Sequence, residues 1–139
     1  MGRKRITAVL DTSVLLGIHR HDLLRFATGG SYTIIWSDYI IQELRRKFSE
    51  MGWRDAKAAA LFRFIDQIAI KVDHELIEWG NYEEWLHDVD DHPIMATAIV
   101  GRVDYLVTAN TKDFPPKKRF ANITIITPDA FLNRLQAQP

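Results

Sequence analysis

Ile6-Thr7-Ala8-Val9-Leu10-Asp11-Thr12-Ser13-Val14-Leu15-Leu16 is the stretch on which the fold turns. Its first five residues lean apolar, are β-branched at Ile6, Thr7 and Val9, and show no clean alternation, so they predict a strand buried on both faces. Asp11-Thr12-Ser13 then supplies residue types that open a helix. A carboxylate therefore stands at the carboxyl end of a buried strand. In open α/β sheets ligands bind beyond those ends, so this is where chemistry is expected.

The same pattern recurs outward from that stretch. Thr28-Gly29-Gly30-Ser31 is a turn signal, Tyr32 to Trp36 reads as a second strand, and Ser37 is an N-cap candidate for a helix running through Lys47. Ile40, Ile41, Leu44 and Phe48 form the apolar stripe of that helix, with Glu43 beside it. Trp53 to Ile70 is alanine-rich, with Ala60, Leu61, Phe64, Ile65 and Ile68 at helical spacing, and reads as a packing helix without chemistry. Val72 to Ile77 is a short strand or a connection. Gly80 to Asp90 is acidic and aromatic, and its middle reads as a helix. Asp91-His92-Pro93 opens another helix, with proline tolerated in the first turn and Ile94, Met95, Ala98 and Ile99 turned inward. Val103 to Thr108 is a third clear strand, and Ala109 to Pro116 is a loop closed by a double proline. Ile123 to Ile126 is a fourth strand, and Thr127-Pro128-Asp129 starts the last helix with a cap, a proline and an acid in sequence. Short strands alternating with helices imply βαβ units and a largely parallel sheet covered on both faces.

Composition narrows the field. A chain of 139 residues is one ordinary domain, so residues 1–139 are expected to carry a single site. Hydrophobic residues at 47% and charged residues at 26% fit a globular protein rather than a disordered or membrane one. The apolar runs fall far short of the roughly 20 residues a spanning helix needs. Gly2-Arg3-Lys4-Arg5 leads directly into the first strand, so no cleavable leader is expected. The absence of cysteine excludes disulfides and zinc–thiolate sites and fits a cytoplasmic protein. Lys and Arg balance Asp and Glu at 18 each, so nucleic-acid binding would have to be local. Arg3-Lys4-Arg5, Arg45-Arg46-Lys47 and Lys117-Lys118-Arg119 are the local basic clusters, each of which can also be plain solvated surface.

Asp11 and Asp113 fall at strand ends, and Asp91 at a helix start can reach the same edge. Taken singly, Asp91 can be a cap and Glu43 an exposed helical residue. Together, three or four carboxylates repel and persist mainly by holding a cation. Oxygen ligands without cysteine favour Mg²⁺ or Mn²⁺. Such an ion suits phosphodiester cleavage, because it activates water and offsets charge on the phosphate.

These residues carry a family resemblance. Asp11-Thr12-Ser13-Val14-Leu15-Leu16 after an apolar strand resembles the opening motif of PIN domains, and Ile41-Gln42-Glu43-Leu44 their second acidic block. Asp91 with Ile94-Met95-Ala96-Thr97-Ala98 is similar to the third block, and Asp104 through Phe114 to the fourth. Ile126 to Leu132 matches the closing strand and helix. The resemblance runs in order over nearly the whole chain and is nearest to the VapC-like ribonuclease toxins of prokaryotic toxin–antitoxin pairs.

It implies a three-layer α/β/α sandwich around a mostly parallel sheet of roughly four to five strands. It also implies divalent-metal-dependent endoribonuclease activity, a homodimer and a cognate antitoxin. Carried over by motif, Asp11, Glu43 and Asp91 are the primary metal ligands, and Thr108 lines the site. Many members have aspartate where this chain has Asn110, whose amide oxygen can ligate but brings no charge. Asp113 is the substitute the resemblance offers, and which of the two lies nearer the metal stays open.

Other residues compete for roles. Asp88 and Asp90 crowd Asp91, and His87 and His92 could imitate a mixed histidine–carboxylate site. Ser13 can orient a water at the metal or cap a helix. Two other functions fit the pattern less well. A phospho-acceptor receiver domain needs an adjacent acidic pair after the first strand, where this chain has Thr12 and Ser13 after Asp11. A nonenzymatic partner in an RNA-processing complex would keep the fold without the acids.

Overall fold

The computed structural model describes residues 5–77, 92–110, 119–120 and 122–138. In chain order the elements are β1 (Thr7–Leu10), α1 (Thr12–Leu15), α2 (Arg20–Thr28), β2 (Thr33–Trp36), α3 (Asp38–Glu50) and α4 (Asp55–Ile68). After them come β3 (Ala69–Lys71), a 3₁₀ turn (His74–Leu76), α5 (His92–Val100), β4 (Tyr105–Val107), β5 (Arg119–Phe120), β6 (Ile123–Ile126) and α6 (Pro128–Gln136). Among the described residues the strands form one sheet in the order β3-β2-β1-β4-β6-β5. Five strands are parallel, and only the two-residue β5 runs antiparallel, on β6.

The register follows from burial. β1 lies between β2 and β4, with Val9 opposite both Ile35 and Leu106. A central parallel strand has no wet face, and Ala8, Val9 and Leu10 are accordingly almost fully buried. Alternation along β2 separates the two faces. Tyr32 meets Phe131 of α6 edge-on at 5.0 Å and donates its hydroxyl to the Leu23 carbonyl of α2 at 2.8 Å. Ile35 faces the other way, toward Gly101 just after α5. α2 packs against α4 and α6, while α5 lies over β1, β2 and β4. The result is the expected α/β/α sandwich. Each large side chain in the core contributes about 1.5–3 kcal/mol of burial free energy.

Local differences from the sequence reading are instructive. Of the two readings of Val72 to Ile77 the connection holds, with a 3₁₀ turn at His74–Leu76, while the strand is Ala69–Lys71, which continues straight from the end of α4 at Ile68. Periodicity could not mark this boundary, because a three-residue edge strand is too short to show a period. α2 is an added helix between the opening stretch and the glycine turn. The helix expected within Gly80 to Asp90 lies outside the described residues. α6 starts as its sequence predicts: Pro128 occupies the first turn, and the Thr127 hydroxyl accepts the Ala130 N–H at 3.3 Å.

Candidate active site

Asp11 ends β1 and starts α1 in one residue. Its N–H donates to the Val107 carbonyl at 2.9 Å, extending the β1–β4 ladder, and its own carbonyl accepts from Val14 at 2.9 Å. The side chain does not cap the helix it precedes. Instead Oδ2 accepts the Thr108 hydroxyl at 2.7 Å and the Ser13 hydroxyl at 3.3 Å. Thr108 is placed by β4, its N–H continuing the ladder to Ile126 at 2.9 Å. Its only hydroxyl proton goes to Asp11, so the same oxygen is free to accept, and it takes the Asn110 N–H at 3.0 Å. Ser13 lies inside α1, and its hydroxyl goes to Asp11 rather than to a helix terminus.

This is a buried carboxylate with an incomplete environment. Asp11 keeps only 9% of its exposure, and no basic side chain pairs with it among the described residues. Hydroxyl donors compensate one oxygen. A buried anion left without a counter-charge carries a large desolvation penalty, which a bound cation would remove. The surrounding donors, Asp11, Ser13 and Thr108, are all oxygen, so the residues present fit a hard divalent ion.

Glu43 is placed differently. It projects from α3 and is ion-paired with Arg46 at 2.7 Å and more loosely with Lys47 at 3.9 Å. The hydrogen bond to Glu43, then the charges of Glu43 and Glu50, hold the Arg46 guanidinium above its ordinary pKa. Glu43 lines an open groove of about 840 Å³ together with Asp38, Gln42, Arg46, Lys71 and His74. No described contact joins it to Asp11. Among the described residues no three His, Asp or Glu side chains come together as a metal cluster. Asp91 and Asp113 lie outside the described residues, as do Asp88, Asp90 and His87. His92 begins α5.

Sequence reasoning missed a second buried polar link at the same edge. Ser37 follows β2 but makes no capping bond to α3. Its hydroxyl lies 2.7 Å from that of Thr97 in α5, and Thr97 donates to the Pro93 carbonyl at 2.7 Å. Thr97 has one hydroxyl proton, already given to Pro93, so Ser37 is the donor to Thr97. The chain of hydroxyls ties the first turn of α5 to the end of β2. A signal for it was available: Thr97 is a lone hydroxyl within the apolar run Ile94 to Val100, and a buried hydroxyl must find a partner.

The family model for the PIN domain matches residues 7–112, from β1 to just past Asn110. The chain belongs to the PIN domain family. Among solved structures it is similar to VapBC2 from Rickettsia felis bound to a DNA fragment from their promoter. That match has a TM-score of 0.64 at 18% identity and covers 88% of this chain and 98% of the other. At that identity it speaks to the fold. No curated protein matches the chain in sequence.

Proposed function

We propose that the chain, read as one nuclease domain over its whole length, is a divalent-metal-dependent endoribonuclease and the toxin component of a toxin–antitoxin pair. The observation that carries this reading is Asp11: a buried carboxylate at the carboxyl end of the central strand, held by two hydroxyls and lacking a described counter-ion. Asp11, Glu43, Asp91 and Asp113 hold Mg²⁺ or Mn²⁺, with Asn110 as a further oxygen ligand. When bound, the ion supplies Lewis-acid charge that lowers the pKa of an attacking water and offsets charge on the phosphate. Thr108 and Ser13 fix the Asp11 carboxylate by donating to Oδ2, which leaves its orientation set before any ligand arrives. Ser37 and Thr97 hold the first turn of α5 against the end of β2. The substrate is RNA, the setting cytoplasmic, and the assembly a homodimer met by an antitoxin. The antitoxin is supported by the likeness to the VapBC2 complex.

One observation favours a second reading, a nonenzymatic PIN-fold partner in an RNA-processing complex: Glu43 is already neutralised by Arg46. The test is a Mn²⁺ titration by calorimetry on the wild type and on Asp91→Asn, followed by cleavage of a mixed RNA pool with and without the metal. Binding and cleavage that both vanish in the variant support the nuclease. A wild type that neither binds Mn²⁺ nor cuts RNA supports the partner.

A further inference from the structure

The α3–α4 face carries a furrow remote from Asp11. Two adjoining cavities of about 370 and 240 Å³ share Arg45, Phe62 and Arg63 as lining. The larger continues past Phe48 and Trp53, and the smaller reaches down to Trp36 and Ile41. Neither is enclosed, and both fall at or below the low end of the roughly 300–1,000 Å³ typical of small-molecule pockets. They suit individual side chains better than a cofactor.

The charge around the furrow is unbalanced. Arg45 and Arg63 line it, and Lys57 and Arg20 stand over the Trp53 ring at 4.0 and 5.0 Å. None of these four cations is ion-paired among the described residues, although Arg46 and Lys47, next along α3, both pair with Glu43. Two carboxylates, Asp55 and Asp66, also line it, so the cations are in surplus. The wall holds a further unmet need: Trp36 is 2% exposed, and its Nε1 is buried without an acceptor among the described residues.

Basic and aromatic side chains together also suit single-stranded nucleic acid, which stacks its bases on open rings. Here the rings are taken. Phe48 stacks on Trp53 at 4.1 Å and 18°, and Lys57 and Arg20 stand over the same indole. Phe62 is covered by Arg45 at 5.0 Å and meets Phe48 edge-on. No platform is left for a base.

We infer that the α3–α4 furrow docks an acidic segment of a partner protein, with an apolar side chain seated in the larger cavity against Ala58, Ala59 and Phe62 and its carboxylates on Arg45, Arg63 and Lys57. The inference does not depend on the metal chemistry proposed above. Helix faces with apolar grooves and charged rims commonly receive such segments, and charge pairs at the rim set the association rate and its salt dependence.

The test uses the full chain labelled with ¹⁵N and a synthetic 12-residue peptide bearing leucine and phenylalanine at helical spacing among glutamates. The indole N–H signals of Trp36 and Trp53 report the two ends of the furrow. Titration is expected to shift both and to give an affinity that falls at least tenfold in Arg45→Glu/Arg63→Glu. The variant should stay folded, with amide signals outside the α3–α4 face unmoved. A lysine-for-glutamate version of the peptide is expected not to bind. Unmoved Trp36 and Trp53 signals would overturn the inference. So would binding that the double variant leaves intact, or an oligouridine of equal charge that shifts the same signals more tightly.

Discussion

Replacing Thr108 by valine keeps the side chain's shape and exchanges one hydroxyl for a methyl. Thr108 is 1% exposed, and its hydroxyl is the shorter of the two donors to Asp11 Oδ2, at 2.7 Å against 3.3 Å for Ser13. A hydrogen bond to a charged group is worth about 1.5–3 kcal/mol, and its loss leaves a largely buried carboxylate short of a donor. The Asn110 N–H loses an acceptor at 3.0 Å at the same time. The expected destabilisation is about 2–3 kcal/mol without metal, or roughly 7–10 °C in melting temperature for a chain of this size. Urea titration of wild type, Thr108→Val and Thr108→Ser measures it, with serine keeping most of the stability. The cycle with Asp11→Asn separates charge from shape. Charge-assisted bonds are roughly twice as strong as neutral ones, so the valine substitution should cost about half as much in the asparagine background. A valine variant within about 0.5 kcal/mol of wild type, or an equal cost in both backgrounds, would refute the argument that Thr108 serves the Asp11 charge.

Three further outcomes are expected. Arg46→Ala leaves Glu43 only its looser contact with Lys47 at 3.9 Å, so the Mn²⁺ affinity measured by calorimetry should rise roughly two- to fivefold, the scale of an exposed pair; a fall or no change would remove Glu43 from the ligand set. Burial drives the Tyr32 phenol well above its usual pKa. A raised folded value means stability that is complete below the unfolded phenol's pKa of about 10 and drains away as pH climbs beyond it. Tyr32→Phe, which gives up the Leu23 bond, should therefore cost about 1 kcal/mol at pH 7 and progressively less in urea titrations above pH ~10. In Gly101→Ala the added methyl would sit 2.7 Å from Ile35 Cγ2 and 3.1 Å from the Thr97 carbonyl. Overpacking of that kind costs about 1–3 kcal/mol, visible as a lower urea midpoint with an unchanged slope.

Much of the sheet was legible because parallel strands need continuous burial, and Ile6 to Leu10, Tyr32 to Trp36, Val103 to Thr108 and Ile123 to Ile126 supply it. Pieces whose stability comes from tertiary context were not. β3 has an exposed Ile70 and no period of its own, and β5 is two residues long within what reads as a basic turn. α2 buries only Leu23 and Leu24 in a polar surround, too thin a stripe to announce a helix. In the site, Asp11 was legible from its position at a strand end. Its bond to Thr108 was not, since no local pattern links residues so far apart. Ser37 misled because serine before a helix ordinarily caps it, and here the hydroxyl serves Thr97 instead.

The central position of β1 has a bearing on when this protein becomes itself. The strand bearing Asp11 is finished only by β4, and the Thr108–Asp11 bond spans a sequence separation of 97. Closing so long a loop is slow compared with forming local turns, and the chain leaves the ribosome amino end first. An amino-terminal fragment ending before β4 holds the carboxylate but lacks the strand and the hydroxyl that fix it. The hydrogen-bonded surroundings of Asp11 are thus complete only once β4 has joined β1, and until then the carboxylate is present without the partners that hold it.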